Sequence, residues 1–189
     1  GLPLDIHGGG QDLIFPHHED EIAQSEAGYG KKFVNFWIHN GMVNVDKVKM
    51  SKSLGNFKTI RDILKKYSGE IIRYFVISTQ YRNPVDFNSN SLEDAKNSYE
   101  RLKNIVSDKK DDKKENKKYL EEFEEAMNDD LNTPRALQVL WKLVRDKSAK
   151  GKLRTIKKMD EVFGLKLLEK EKLDIPASVI KLVHERDEA

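Results

Sequence analysis

The sequence has 189 residues, and its 34 Lys+Arg and 32 Asp+Glu leave a formal net charge of only +2. This length suits one domain or two small ones, and the balanced charge excludes a polycation that binds nucleic acid by charge alone. The chain contains no Cys, so it can form neither a disulfide nor a thiolate metal site by itself. No run of about 18 apolar residues predicts a membrane-spanning helix, and the first residues do not form a signal peptide.

The first part of the chain alternates short apolar runs with glycines. Leu2–Ile6 is predicted to be a buried strand, followed by a loop at Gly8–Gly10. Pro16 suits the first position of a helix that continues to Ala27 and stops at Gly28. These patterns predict a strand, a loop and a helix in that order.

The next segment is predicted to be extended and to turn back on itself. Phe33–Ile38 and Met42–Val45 have strand patterns, and a hairpin is expected to turn at Asp46 and Lys47. The second arm of this hairpin leads directly into Lys49–Ser53. A glycine-poor chain rich in Lys, Glu and Leu follows it.

Capping residues and apolar spacing predict that the rest of the chain is mainly helical. Tyr81–Asn90 is expected to be a loop around Pro84, and Asp108–Lys118 a solvated loop or a helix extension. Gly164 is expected to stop the helix before it. The predicted helices begin at Thr59, Ser68, Ser91, Tyr119, Thr133, Leu153 and Pro176.

The strongest functional signal is the pentapeptide Lys49–Ser53 (Lys-Met-Ser-Lys-Ser). Its two lysines, three positions apart after a hairpin, can close on a polyphosphate and neutralise charge that develops during nucleotidyl transfer. Lysine suits this role because its ammonium is a point charge on a flexible stem. A basic surface turn is the alternative interpretation.

This pentapeptide matches the KMSKS signature of class I aminoacyl-tRNA synthetases letter for letter, and the rest of the chain resembles cysteinyl-tRNA synthetases. Almost the whole chain takes part in the resemblance, and the charged loop from Asp108 is its least specific part. The segments that resemble this family are Asp5–Gln24, Trp37–Asp46, Ile72–Ser78, Tyr81–Arg82 and Asp129–Leu137.

The resemblance implies an α/β remnant, the second half of a Rossmann-type catalytic domain, followed by a mostly α-helical region and a helical bundle. The expected parts are residues 1–58 with the KMSKS loop, a stem-contact region at 59–107, a charged loop at 108–118 and a DALR-type tRNA-binding domain at 119–189. The chain is expected to be a fragment without the N-terminal half of the catalytic domain, which carries the HIGH motif, and without the C-terminal end.

The glycine loop has a physical interpretation of its own. Three glycines let the backbone approach a ligand closely, and Asp12 can bond a ribose hydroxyl. The resemblance implies that this loop lines the adenylate pocket and that Lys49 and Lys52 are catalytic, with Lys52 acting most directly on pyrophosphate charge. The residues implied to contact ATP are His7, Gly9, Asp12, Lys49, Ser51 and Lys52.

His17 and Glu21 stand four residues apart on one predicted helix face, where two ligands can share a zinc ion or simply bond to each other. The resemblance implies that they supply half of a zinc site that binds the substrate thiolate and rejects serine. The two cysteine ligands are absent from this chain. His18 is expected to be a neighbour rather than a ligand, and His39 is expected to pack beneath the hairpin.

The implied function is ATP-dependent activation of cysteine and its transfer to tRNA(Cys). The implied partners are cysteine, tRNA(Cys), ATP with Mg²⁺ and one Zn²⁺, in a cytoplasmic, monomeric parent that contacts no membrane. The chain alone is expected to be inactive. Two alternatives stay open: a cysteine ligase of mycothiol synthesis, which joins cysteine to an amino sugar, and a non-catalytic tRNA-binding module.

Overall fold

The computed structural model describes residues 1–51, 53–55 and 59–169. The predictions made for Lys52 and for the helix that begins at Pro176 lie outside these residues. Within them, an α/β unit comes first, a small sheet with two helices follows, and four longer helices complete the described chain.

The α/β unit consists of β1 (Leu4–Gly10), α1 (Glu19–Tyr29) and β2 (Val34–Asn40). The two strands are parallel, and α1 makes the crossover that parallel neighbours require. One face of this sheet leaves Ile6 and Phe36 60% and 70% exposed. The first strand is therefore not the buried one that its apolar sequence predicts.

The prediction of a loop at Gly8–Gly10 was wrong, because β1 begins at Leu4 and continues through all three glycines. Glycines have no side chain that could stabilise a strand by packing. Here the backbone hydrogen bonds to β2 hold all three of them in the strand. The glycines thus extend the strand to the point where the chain turns towards α1.

The bounds predicted for the first helix were also wrong. Residues Ile14–His18 form a wider π-helical turn, in which Phe15 keeps extended backbone angles, so α1 begins at Glu19. The helix passes through Gly28 and ends at Gly30, whose φ of 63° lies in the left-handed region that favours glycine. The result is a helix that begins and ends two to three residues later than predicted.

The predicted hairpin is confirmed as β3 (Val43–Val45) and β4 (Val48–Lys49), which pair antiparallel. Asp46 and Lys47 have φ values of 52° and 65°, the left-handed pair typical of a two-residue hairpin turn. A short strand, β5 (Val85–Asp86), pairs in parallel with β3. The segment predicted to be only a loop therefore adds an edge to this sheet.

Two short helices lie between β4 and β5. In α2 (Ile60–Leu64) the Thr59 hydroxyl accepts a hydrogen bond from the Asp62 amide at 3.1 Å, which confirms the predicted cap. In α3 (Gly69–Ile77) the Ser68 hydroxyl caps the first turn in the same way. These local hydrogen bonds fix where each helix begins.

Three of the later helices are capped by asparagine, whose side-chain oxygen reaches the free amide of the first turn as well as a hydroxyl does. Two of them begin two residues earlier than predicted, at Ser89 and Lys117, whereas the third begins at Thr133 as predicted, with Asn132 rather than Thr133 as its cap. These helices are α4 (Ser89–Ser107) after Asn88, α5 (Lys117–Asn128) after Asn116 and α6 (Thr133–Arg145) after Asn132.

The main core lies among the later helices, the last of which is α7 (Lys152–Phe163), stopped at Gly164 as predicted. Burial of their apolar faces is what stabilises these helices in water. In the part of the chain that the structure describes, no helix is long and apolar enough to cross a membrane. The fully buried side chains include Leu102, Leu140, Leu143, Ile156 and Met159.

Most of the charged segment predicted at Asp108–Lys118 forms a loop between α4 and α5, and its last two residues, Lys117 and Lys118, begin α5. The Asp112 carboxylate accepts a hydrogen bond from the Gly151 amide at 2.7 Å, at the start of α7. Asp111 pairs with Arg154, with 3.3 Å between their charged atoms. Part of the predicted solvated loop is therefore attached to α7.

Candidate active site

Four of the five histidines gather beside the end of β1. His7 lies on β1, His17 and His18 lie in the π-helical turn, and His39 lies on β2. The ring centre of His18 is 5.2 Å from that of His7, 5.7 Å from that of His17 and 5.0 Å from that of His39. The α/β unit thus brings three separate parts of the sequence into one cluster.

His18 is the buried centre of this cluster, with only 3% of its surface exposed. Its Nδ1 lies 2.8 Å from Nε2 of His39, so one of these nitrogens donates a proton that the other accepts. Burial lowers the pKa of His18, and the neighbouring His39 lowers that pKa further. Both effects favour the neutral form of the His18 imidazole, and the hydrogen bond requires only that one of the two facing nitrogens carries no proton.

Gly9 makes room for this arrangement. A Cβ atom at Gly9 would lie 2.7 Å from Cε1 of His18, whereas one at Gly8 would meet nothing closer than the Ile38 carbonyl oxygen at 3.6 Å. The small size of Gly9 is thus required by the buried imidazole. Its predicted contact with ATP stays a prediction.

Glu21 connects the cluster to the predicted metal pair. His17 Nε2 lies 3.1 Å from one carboxylate oxygen of Glu21, and His7 Nε2 lies 3.4 Å from the other. That second oxygen is buried and accepts no hydrogen bond from the residues that the structure describes. The ligand atoms of His7, His18 and Glu21 all lie within 4.8 Å of one another.

These donors fit a zinc ion, which accepts imidazole nitrogen and carboxylate oxygen. A buried carboxylate oxygen without a hydrogen bond is costly, and a cation beside it would remove that cost. The structure brings the predicted pair His17 and Glu21 into contact, although His17 is not one of the three residues of this donor group. It also adds His7, which the sequence assigned to the adenylate pocket, on the opposite oxygen of the same carboxylate.

The predicted nucleotide residues meet at the next turn of the chain. Asp12 lies in the turn at Gln11–Leu13 that follows β1, and its carboxylate is 3.4 Å from Nζ of Lys49 at the end of β4. These residues are 37 positions apart in the sequence. Lys52, the other predicted catalytic lysine, lies outside the described residues.

The hydroxyl of Ser51 organises the chain just after Lys49. It accepts a hydrogen bond from the Leu54 amide at 3.3 Å and lies 3.2 Å from the hydroxyl of Ser53. Small hydroxyl side chains often stabilise turns in this way. The structure thus gives Ser51 a role in shaping the loop, and its predicted contact with ATP stays a prediction.

The pairing of His18 with His39 is the feature that sequence reasoning missed. The two residues are 21 positions apart, and only the sheet register, which places Gly9 opposite His39, brings them together. A parallel pairing of the two strands was the signal that could have located this contact. Using this signal requires the correct bounds of β1, and the prediction of a loop at Gly8–Gly10 ended that strand too early.

Two family models match separate parts of this chain. The model for the catalytic domain of class I (C) tRNA synthetases matches residues 1–97. The DALR domain model matches residues 122–168. The site described above lies entirely within the first of these ranges.

Similar curated proteins are named cysteine–tRNA ligases. One from Methylobacillus flagellatus is 47% identical over 80% of this chain and 34% of its own length. One from Haemophilus influenzae is 41% identical over the whole chain and 45% of its own length. The chain thus spans between a third and a half of the length of these relatives.

A solved structure of Mycobacterium tuberculosis methionyl-tRNA synthetase, in complex with methionyl-adenylate, shares the fold. It aligns with a TM-score of 0.55 and 16% identity over 87% of this chain and 40% of that protein. A likeness at this identity concerns the fold, whereas the matched catalytic-domain model spans more than half of the sequence. This chain belongs to the family of class I (C) tRNA synthetase catalytic domains.

Proposed function

We propose that this chain is the part of a cysteine–tRNA ligase that carries the KMSKS loop, two ligands of a cysteine-selecting zinc site and a tRNA-binding DALR domain. The observation that carries this proposal is the position of Lys49 beside Asp12 at the carboxyl end of β1. Ligands of open α/β sheets bind at this end of the strands. The names of the relatives support cysteine as the amino acid.

The proposed reaction has two steps. The cysteine carboxylate attacks the α-phosphorus of ATP, and the bond to the bridging oxygen breaks to release pyrophosphate. A hydroxyl at the tRNA 3′ end then attacks the cysteinyl carbonyl, and AMP leaves. In the first step Lys49 and Lys52 stabilise the charge that builds on pyrophosphate, and Asp12 holds the ribose.

His17 and Glu21 would hold half of the proposed zinc site, and two thiolates from outside this cysteine-free chain would complete it. When bound, zinc supplies a Lewis acid that binds the substrate thiolate. The buried His18 and its partner His39 would keep the surrounding rings in place. We propose the part bounds 1–58, 59–107, 108–118 and 119–189 for the division of these tasks along the chain.

The DALR match supports transfer of cysteine to tRNA rather than to an amino sugar. The Lys49–Asp12 contact supports a catalytic part rather than a module that only binds tRNA. Both observations favour the same parent activity.

The test is a chimera in which this chain replaces the aligned 45% of the H. influenzae relative. We expect it to catalyse cysteine-dependent exchange of pyrophosphate into ATP. Replacing Lys52 or Lys49 by Ala is expected to slow this exchange about 100-fold, as loss of one transition-state donor does elsewhere.

Lys47→Ala, in the turn of the same hairpin, is the matched control and should leave the exchange rate within about twofold, as expected for a surface substitution. A folded chimera whose exchange rate is the same with and without Lys52 would exclude the proposed role of the loop. Circular dichroism would establish that each variant is folded.

A further inference from the structure

The loop between α3 and β5 is bound to the turn between α5 and α6 by several hydrogen bonds to Asp130. Asp130 accepts from Arg82 Nε at 2.6 Å and from Arg82 Nη2 at 3.0 Å, in a bidentate pair. The Tyr81 hydroxyl donates to the same carboxylate at 2.8 Å. Gln80 donates to the Asp130 carbonyl oxygen at 3.0 Å. We call these four residues the Asp130 clasp.

The backbone at this turn is held in an uncommon conformation. Asp130 and Leu131 both have a φ of 52°, in the left-handed region that costs a residue with a side chain free energy. Such strain persists only where the surrounding contacts compensate for it. The hydrogen bonds of the clasp, which include one to the Asp130 backbone itself, provide that compensation.

The clasp connects two parts of the chain that the family models separate. Arg82 lies within the range matched by the catalytic domain, and Asp130 lies within the range matched by the DALR domain. Charge-assisted bidentate pairs fix geometry as well as add binding energy. The clasp therefore fixes where the α3–β5 loop sits relative to the helices.

The opposite side of the α3–β5 loop touches the nucleotide end of the α/β unit. Gln11 donates from its side chain to the Arg82 carbonyl oxygen at 2.9 Å, and Gln11 is next to Asp12. The Gly41 amide donates to the Tyr81 carbonyl oxygen at 2.7 Å. A Cβ atom at Gly41 would lie 2.4 Å from the Asn83 backbone, so only glycine permits this close approach.

We propose that Asp130 is a positioning residue for the nucleotide site: it fixes the α3–β5 loop, and that loop in turn holds Gln11 beside Asp12 and Gly41 at the start of the hairpin that carries Lys49. Through this connection, a displacement of the DALR helices by a bound RNA would change the position of Asp12 and Lys49. That the ligands are a nucleotide and an RNA rests on the proposed function. The mechanical connection between Asp130 and the α3–β5 loop does not depend on it.

The test is amide hydrogen exchange of the 189-residue chain, followed by NMR at Gly41. Asp130→Asn keeps the shape of the side chain and its tolerance of the left-handed region but removes the charge. It is expected to accelerate exchange at Gly41 about tenfold, as loss of a local restraint does. Asp129→Asn is the matched control, because Asp129 lies in the same turn and its carboxylate contacts Arg135 and Asn132.

Arg82→Gln removes the other side of the pair and is expected to produce the same acceleration at Gly41. The double variant is expected to exchange no faster than either single variant, since both remove one interaction. Unchanged exchange at Gly41 in both single variants would overturn the proposal. Equal acceleration at Gly41 and in the buried turns of α6 would also overturn it, because that pattern is global destabilisation.

This exchange experiment needs no nucleotide, cysteine or tRNA. Accelerated exchange at Gly41 together with an inactive chimera would leave the clasp intact as a mechanical connection and exclude the proposed function. An active chimera with unchanged exchange at Gly41 would support the proposed function and exclude the mechanical connection through the clasp.

Discussion

Two glycines of the triplet have a neighbour closer than 3.0 Å to an added Cβ: the buried His18 ring at Gly9, and at Gly10 the half-exposed Asp12 carboxylate, which can move aside. The His18 ring beside Gly9 is buried among His7, Trp37 and His39 and cannot swing away into solvent. An added methyl group at Gly9 would force this ring or the strand to move. The lack of room at Gly9 therefore comes from His18, the centre of the histidine cluster, and not from a bound ligand.

Gly9→Ala is therefore expected to lower the free energy of unfolding by about 1–3 kcal/mol, the usual cost of overpacking. Gly8→Ala is the control, since its new methyl group would make only an ordinary contact, and it should change stability by less than about 0.5 kcal/mol. Urea titrations followed by circular dichroism measure both values. Equal stability of the two variants would mean that the His18 ring can adjust without cost.

In the candidate site, only contacts between residues close in sequence could be predicted. The spacing of His17 and Glu21 predicts their contact, because residues four apart share a helix face. His7 lies near Glu21 because α1 packs beside β1. A local sequence pattern does not predict how a helix packs against a strand. The sequence thus predicted the contact of His17 with Glu21 and missed those of His7 with Glu21 and of His18 with His39.

At the scale of elements, the predictions worked where a turn or cap is specified by its own residues. The hairpin at Asp46 and Lys47 and the caps at Thr59 and Ser68 are of this kind. The strand β5 could not be predicted, because its two residues become a strand only by pairing with β3. Long-range pairing, and not propensity, determines such short strands.

The Asp130 clasp between two loops is expected to stabilise the fold less at acidic pH. Hydrogen bonds from Arg82, and next from Tyr81, lower the pKa of Asp130 from 3.8 to about 2. A carboxylate whose pKa is lowered on folding stabilises the fold above its unfolded pKa and loses that effect as the pH falls towards its folded pKa. The stabilisation by the clasp should therefore be complete above about pH 4 and fade towards about pH 2.

Asp130→Asn tests this expectation. Its melting temperature should lie below that of the unmodified chain by a constant difference between about pH 5 and 7, and the difference should shrink from about pH 4 downwards. Thermal unfolding followed by circular dichroism across this pH range measures it. A difference that persists undiminished at about pH 2 would show that the carboxylate charge is not what matters.

At the scale of the whole molecule, the resemblance to a synthetase family predicted an α/β part followed by helices, and the match to the catalytic-domain model bears out that family. The parallel pairing of β1 with β2 was not predicted. The exposure of Ile6 and Phe36 was not predictable, because an apolar strand sequence does not say which of its faces is covered.

We propose that this chain supplies the KMSKS loop and part of the cysteine site of a cysteine–tRNA ligase, and transfer of labelled cysteine to tRNA by the chimera with the H. influenzae relative is the sharpest test of this proposal. We expect ATP-dependent formation of cysteinyl-tRNA that Lys52→Ala reduces about 100-fold. A folded chimera that binds tRNA but forms no cysteinyl-tRNA would contradict it.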